Sequence, residues 1–235
     1  MPIYHQWLPN NRHFVYISGS KYLNIMRELV KTADYARISE ALFANPALAN
    51  EGWPYDEKNT QIAHPLHRIC DLVYSGDITD EQAERIAGIF LEAGANVNGY
   101  GFVLKKDTPL LAASSLHADR VALLYMAHGA DIHHQGCHGG TALHWAAWCG
   151  RDIVVRQLLE RGAAVNQRCI DFASTPLFWS VMAYTQGNDP HHQLACIQML
   201  LEAGADKSIP NSGGKTVFDM AEGFGELEGL LGLRC

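Results

Sequence analysis

An all-α solenoid of stacked helix-turn-helix units, with finger loops between them, is the fold this sequence predicts. Three observations carry the prediction. A short motif recurs along the chain: HPLH at His64–His67, DTPLLAA at Asp107–Ala113, TALH at Thr141–His144, STPLF at Ser174–Phe178 and GKTVFDMA at Gly214–Ala221. Each of the first four copies is followed by a Gly-Ala pair, at Gly94-Ala95, Gly129-Ala130, Gly162-Ala163 and Gly204-Ala205, with the glycines 35, 33 and 42 residues apart. Self-similarity at a fixed period marks stacked units, because one unit cannot bury its apolar face alone. Finally, 235 residues at 48% hydrophobic and 18% charged composition suffice for one sizeable core and are short for two domains.

The clearest copy justifies each element in order. Thr141 stands where a side chain caps a helix, and in the Thr-Pro copies proline follows where its missing N–H is not needed. The next residues, Leu-His-x-Ala-Ala, give a short helix whose small alanine face lets a neighbouring unit approach closely. Gly150 stops that helix, and Ile153, Val154, Leu158 and Leu159 form the apolar face of a second, antiparallel one. Gly162 ends the second helix in the same way, and Ala163–Asn166 leads into an extended finger. Stacking such units gains ~1.5–3 kcal/mol for each Leu or Ile side chain buried. Helix pairs are predicted near 64–72/84–93, 108–116/119–127, 141–149/152–160 and 175–183/193–202, stacked in chain order.

The segment Gly139–Asn166, GGTALHWAAWCGRDIVVRQLLERGAAVN, resembles a nearly complete ankyrin repeat, and the resemblance extends over roughly residues 61–234. It divides residues 21–235 into a degenerate N-terminal cap (21–60), central repeats (61–212) and a C-terminal cap (213–235), preceded by an irregular segment 1–20. In the cap, Tyr22, Leu23, Met26, Leu29 and Val30 follow helical spacing, and Asp34 caps a second helix carrying Ile38, Ala41 and Leu42. Ala33 falls where the best repeat has Gly150. In the last unit the second helix shrinks to GELEGLLGL.

Two central repeats are longer than the others. His64 to Gly94 spans 30 residues and Thr175 to Gly204 spans 29, against 21 for Thr108 to Gly129 and for Thr141 to Gly162. Tyr74–Glu81 and Tyr184–His191 supply the excess, and both contain Gly with Asp or Asn. Two readings stand: tolerated surface-loop insertions, or loops that enlarge a recognition edge.

The residues that invite a chemical reading are His133, His134, Cys137 and His138, with His128 and His144 flanking them. Imidazole and thiolate suit zinc, but the spacing matches no standard zinc pattern and adjacent finger residues point to opposite faces. No tightly bound metal and no cofactor are expected. Cys149 and His144 lie five residues apart on one short helix without an orienting third group, so no nucleophile–base pair is expected there. By the resemblance, His144 makes structural hydrogen bonds between repeats. Asn98 and Asn166 occupy the finger position that asparaginyl hydroxylases modify in ankyrin proteins, where a purely structural asparagine is the alternative.

A net charge of −7 argues against nucleic acid or an anionic membrane as partner. No apolar run reaches the ~18–20 residues of a membrane span. MPIYHQWLPNNRHF has neither basic nor apolar signal-peptide regions, and the six cysteines show no framework spacing. A cytoplasmic monomer with reduced thiols is the expectation. The resemblance implies a non-enzymatic module that binds a partner protein through its concave groove and fingers, similar to bacterial or phage adaptors, inhibitors and immunity proteins. A metal-binding or enzymatic variant built on finger 133–138 is the alternative.

In the family, the two residues after the inner helix's Ala-Ala face the groove. Counting seven and eight residues past each repeat's Thr position gives a stripe of Leu72, Leu116, Trp148 with Cys149, Met182 and Phe224; the alternative is that the longer repeats tilt Leu72 and Met182 inward as ordinary core. Phe102, Leu104, His138 and Phe172 on the fingers frame it. Trp148 is the expected anchor, and dispersed carboxylates favour a partner with a basic rim.

Overall fold

A computed structural model describes residues 4–8, 11–17, 19–54, 62–101 and 105–233, with side chains from residue 25 onward. Helices come in consecutive pairs: α1 (Gly19–Lys31) with α2 (Tyr35–Ala44), α3 (Pro65–Tyr74) with α4 (Asp80–Glu92), and α5 (Pro109–Ser115) with α6 (Asp119–Ala127). There follow α7 (Ala142–Trp148) with α8 (Asp152–Glu160), α9 (Pro176–Thr185) with α10 (Pro190–Glu202), and α11 (Val217–Ala221) with α12 (Gly225–Leu231). From α3 onward the first helix of each pair packs on the first helix of the next, and the second helices stack likewise from α2 to α10. This is the stacked helix-turn-helix architecture that the repeats imply.

The core runs through the stack. Leu66, Ile69, Leu110, Leu143, Leu177 and Val217 are buried on the first helices, and Ile86, Phe90, Val121, Val154, Leu158 and Leu200 on the second. Tyr125 is fully buried and donates its hydroxyl to the Leu66 carbonyl at 2.7 Å, tying α6 to the preceding unit. The predicted helix stops operate: Gly94, Gly129, Gly150, Gly162 and Gly204 all have positive φ. Ala33 sits in the same left-handed region, at φ 49°, where the sequence aligns it with Gly150. Asp34 caps α2 by accepting from the Arg37 N–H.

Three expectations need correction. Residues 1–20 are not irregular: β1 (Tyr4–Leu8) pairs antiparallel with β2 (Asn11–Ile17), with Tyr4 opposite Ile17 and Leu8 opposite Asn11. The excess residues of the long repeats are not loop insertions. They extend the helices, so that α3 and α9 have 10 residues where α5 and α7 have 7, and α4 and α10 have 13 where α6 and α8 have 9. For the same reason α4 and α10 begin earlier than predicted. Thr79 caps α4 in a reciprocal box with Gln82, and Asp189 caps α10 ahead of Pro190.

Asparagines set the finger spacing. The Asn50, Asn98 and Asn166 side chains accept from the backbone N–H of Asn96, Asp131 and Asp206, at 2.7, 2.9 and 2.8 Å, each in the next unit. Asn166 also donates to the Gly204 carbonyl at 3.2 Å. Both hydroxylation candidates therefore hold structural bonds. In the first finger, β3 (Trp53–Pro54) pairs with β4 (Ile62–Ala63).

Candidate binding groove

The finger ahead of α7 meets that helix, with the His138 ring 6.3 Å from Trp145, and the residues expected along a groove are placed as follows. Leu72 does not belong to it. Because α3 runs on to Tyr74, Leu72 sits inside the helix, 3% exposed, and its carbonyl accepts from Asp77 and Ile78 of the turn that follows. Leu116 and Met182 are half-buried, packed against the core with an edge left open. Phe224 is 38% exposed and meets Tyr184 edge-on, with ring centroids 6.0 Å apart. Phe102 and Leu104 lie outside the described residues.

Trp148, the last residue of α7, is half-buried rather than fully exposed, because its ring stands edge-on against Trp179 at 6.1 Å. Cys149 caps the same helix, and its thiol donates to the Ser115 carbonyl at 3.5 Å. Burial pushes that thiol up to about 11, so it is a packing group and not a ready nucleophile.

Two further tryptophans, outside the positions seven and eight residues past threonine, join this cluster. Trp145 and Trp179, each four residues past the repeat threonine, stand at 89° to one another with centroids 5.2 Å apart. Trp179 is 4% exposed and forms the floor, while Trp145 stays partly open. A tryptophan at the same position of two adjacent repeats was the available signal. The indole N–H groups of both are shut off from solvent and have no partner among the described residues.

The finger residues complete the cluster. The His138 ring lies 5.4 Å from Phe172 and 6.3 Å from Trp145, bridging finger and helix, and Phe172 is 46% exposed. His138 holds φ 56° and Lys105 φ 62°, a region that costs residues other than glycine about 1–2 kcal/mol. Both side chains end on Asp171, so three successive fingers meet at one carboxylate. The Lys105 bond holds that carboxyl below its ordinary range, with help from His138. Gly139 is needed beneath this crossing, since a Cβ there would fall 2.3 Å from the Ile170 side chain.

His144 is a structural bridge. The Thr141 N–H donates to its Nδ1 at 3.1 Å, which leaves Nε2 protonated to donate to the Ser174 carbonyl of the next repeat, also at 3.1 Å. Burial lowers its pKa to about 4. With both nitrogens committed it offers no base to Cys149. The finger histidines also point to separate partners, His134 to the Lys106 carbonyl and His138 to Asp171. Burial, with Asp107 nearby, raises the Cys137 thiol. No three metal-ligating side chains converge among the described residues. Nor is any described helix long and apolar enough to cross a membrane.

Ion pairs among the described residues include Arg68 with Asp71 at 2.5 Å, Arg151 with Asp119 at 2.5 and 2.8 Å, and Lys105 with Asp171.

A family model described as ankyrin repeats (3 copies) matches residues 79–169 and 110–211. Among curated proteins, the palmitoyltransferase Hip14 of Drosophila melanogaster is 35% identical over 86 residues, 37% of this chain and 12% of that protein. The E3 ubiquitin-protein ligase KEG of Arabidopsis thaliana is 32% identical over 121 residues, 48% of this chain and 7% of the ligase. A transient receptor potential cation channel subfamily A member 1 homolog of Caenorhabditis elegans is 34% identical over 124 residues, 52% of this chain and 10% of the channel. The chain thus spans about an eighth or less of the length of these relatives.

Proposed function

We propose that this chain, which belongs to the ankyrin repeat family, binds a partner protein in the groove between its fingers and first helices and performs no chemistry itself. Ankyrin repeats are generally protein-interaction modules, and the relatives support that reading here. Their printed activities (palmitoyl transfer, ubiquitin ligation, a cation channel) have nothing chemical in common, and each shares only a short stretch with this chain. A shared stretch among unlike activities is what a binding module leaves. An adaptor or inhibitor, cytoplasmic and monomeric, is the role proposed.

The observation that carries the proposal is the aromatic cluster: Trp145 and Trp148 open at its edge, Trp179 beneath, His138 and Phe172 over it. Aromatic side chains held rigid at the centre of a surface are the usual energetic anchors of protein interfaces. The test begins with affinity capture and mass spectrometry to identify the partner, followed by calorimetry on the purified pair. Trp148→Ala should weaken binding by about 2 kcal/mol. Because Trp148 also packs on Trp179, it should lower the melting temperature as well. Phe172→Ala separates the two effects: its ring is half exposed, so affinity should fall by about 1–2 kcal/mol with the melting temperature nearly unchanged. Affinity unmoved in both variants would sink the groove reading.

A further inference from the structure

We propose that the outer face of α2, centred on Phe43, is a second interaction surface, and that its occupant is a basic amphipathic helix of a partner protein. This surface lies on a second helix, apart from the aromatic cluster, and does not depend on it.

Phe43 is 90% exposed, although Ile38 and Leu42 of the same helix are buried in the core at 0% and 1%. The repeat pattern shows how unusual that is. Ala33 aligns with Gly150, so Phe43 falls at the position of Glu160, two residues before the stop at Gly162. Two residues before their own glycines, the other central units carry Glu92, Ala127 and Glu202, and all four of these side chains are exposed. Where three units keep a solvated carboxylate, α2 therefore presents a phenyl ring. Nor does the ring stand alone, because Ala36, Ala44, Pro46 and Ala47 around it are exposed as well. Ala36, Glu40, Phe43 and Ala47 follow the four- and three-residue spacing of one helix face. An apolar patch gathered on one open face marks a contact surface, which single scattered apolar residues do not.

Charge selects the occupant. Glu40 stands in the middle of this face, one turn before Phe43, exposed and without an ion pair among the described residues. Glu92 of the next unit is likewise exposed and unpaired among them. The nearby cations are engaged: Arg37 with Asp34 at 4.0 Å, Lys31 with Asp77 at 3.5 Å, and Arg85 over the Tyr35 ring at 4.0 Å. A second copy docking by the same face about a two-fold axis would set Glu40 against its own counterpart. An anionic bilayer would meet the same carboxylates.

A helix with lysine or arginine one turn from its apolar residues meets every condition. The alanines at 36, 44 and 47 let it approach to about 8–10 Å between axes. Its apolar side chains then flank Phe43 and its cation reaches Glu40. The ten residues of α2 give a contact about 15 Å long, or three turns of the occupant.

The experiment uses the full chain and three labelled peptides of about 18 residues, long enough to hold a helix, read by fluorescence anisotropy. The first is alanine-based, with leucines on one face and a lysine one turn from the central leucine. The second has glutamate in place of the lysine, and the third has a central proline that breaks the helix. The lysine peptide should bind at least about tenfold tighter than the other two, and less tightly as salt is added. Phe43→Glu should weaken it about tenfold with the melting temperature unchanged, since glutamate stands at the aligned position of three other units. Glu40→Lys should reverse the preference toward the glutamate peptide, and it serves if Phe43→Glu does not fold by circular dichroism. Phe172→Ala should leave the peptide affinity unmoved. The proposal is overturned if the three peptides bind alike, if none binds, or if Phe43→Glu lowers the melting temperature and spares binding. It is also overturned if sedimentation shows self-association that Phe43→Glu abolishes, or if phosphatidylserine vesicles retain the chain through Phe43. None of these outcomes touches the groove reading, which fails only when the identified partner ignores both Trp148→Ala and Phe172→Ala.

Discussion

Acid should loosen this solenoid well above the pH at which carboxylates protonate, and two buried histidines set the size of the effect. His144 is fully buried and His64 is 3% exposed. His64 accepts from the Leu66 N–H through Nδ1 and pairs through Nε2 with Asn50 of the preceding unit. Burial lowers each from 6.5 to about 4. A base with a depressed pKa binds fewer protons folded than unfolded, so its contribution is fully present above pH 6.5 and is lost as the pH falls toward 4. Each group gives a slope of about 1.4 kcal/mol per pH unit in that window, about 2.7 kcal/mol for the two. At about pH 5 the pair should therefore have cost roughly 4 kcal/mol, a large part of the ~5–15 kcal/mol a domain has. His67 is shifted in the same direction by burial and adds to the slope. Urea titrations followed by circular dichroism, at intervals from neutral pH to about pH 5, measure it. In His144→Asn the amide oxygen replaces Nδ1 as acceptor, and the slope should fall by about 1.4 kcal/mol per pH unit. A wild-type midpoint that does not move across this window, or an unchanged slope in His144→Asn, would refute the reasoning.

Two further outcomes follow from the backbone. Ala33→Gly should stabilise the N-terminal cap by about 0.5–1 kcal/mol in urea melts, because relief of the left-handed penalty exceeds the added unfolded-state entropy. Asn166→Ala removes the bonds to the Asp206 N–H and the Gly204 carbonyl, and should cost about 1–2 kcal/mol with faster amide exchange in the last finger.

The fold was legible wherever the chain repeats itself, because the same residue types solve the same local problem in each unit. Thr141 and Thr175 cap helices, glycines turn the chain, and alanines let helices close up; Ala33 aligns with Gly150 and shares its left-handed backbone, at φ 49°. What escaped notice was non-repetitive. The residues beyond Tyr74 and Tyr184 carry turn signals that point to loops, but Thr79-x-x-Gln82 and Asp189-Pro190 are also helix-start signals, and the helices prevail. The paired strands Tyr4–Leu8 and Asn11–Ile17 carry aromatic and β-branched residues on either side of Pro9-Asn10, a pattern that belongs to no repeat. The site divided in the same way. Counting places Trp148 on the stripe with His138 and Phe172 as finger residues beside it, and the structure brings those three together. The count also places Leu72 there, which α3 buries by running on to Tyr74. Trp145 and Trp179 lie outside the positions that the count selects. Trp179 is buried beneath the others, and the ring geometry joins the two to the rest in a single cluster.

His138 brings stability and binding into opposition. Its backbone is held at φ 56° in a short turn that any residue but glycine enters at a cost of about 1–2 kcal/mol, and glycine follows directly at position 139. The side chain offsets that cost only through surface contacts: an exposed pairing with Asp171 and tilted stacking on Phe172 and Trp145. If the ring is kept at this expense because it presents Phe172 and Trp145 to a partner, removing it should help the fold and harm the interaction. His138→Gly is therefore expected to leave the urea midpoint unchanged or raise stability by up to about 1 kcal/mol, while partner affinity falls about tenfold. Lys105 supplies the control, since it pairs with the same carboxylate from φ 62° but makes no ring contact among the described residues. Lys105→Gly should match the gain in stability and cost far less affinity. Should His138→Gly destabilise the chain and bind its partner normally, the ring would be a brace for the finger, and the binding cluster would end at Trp145.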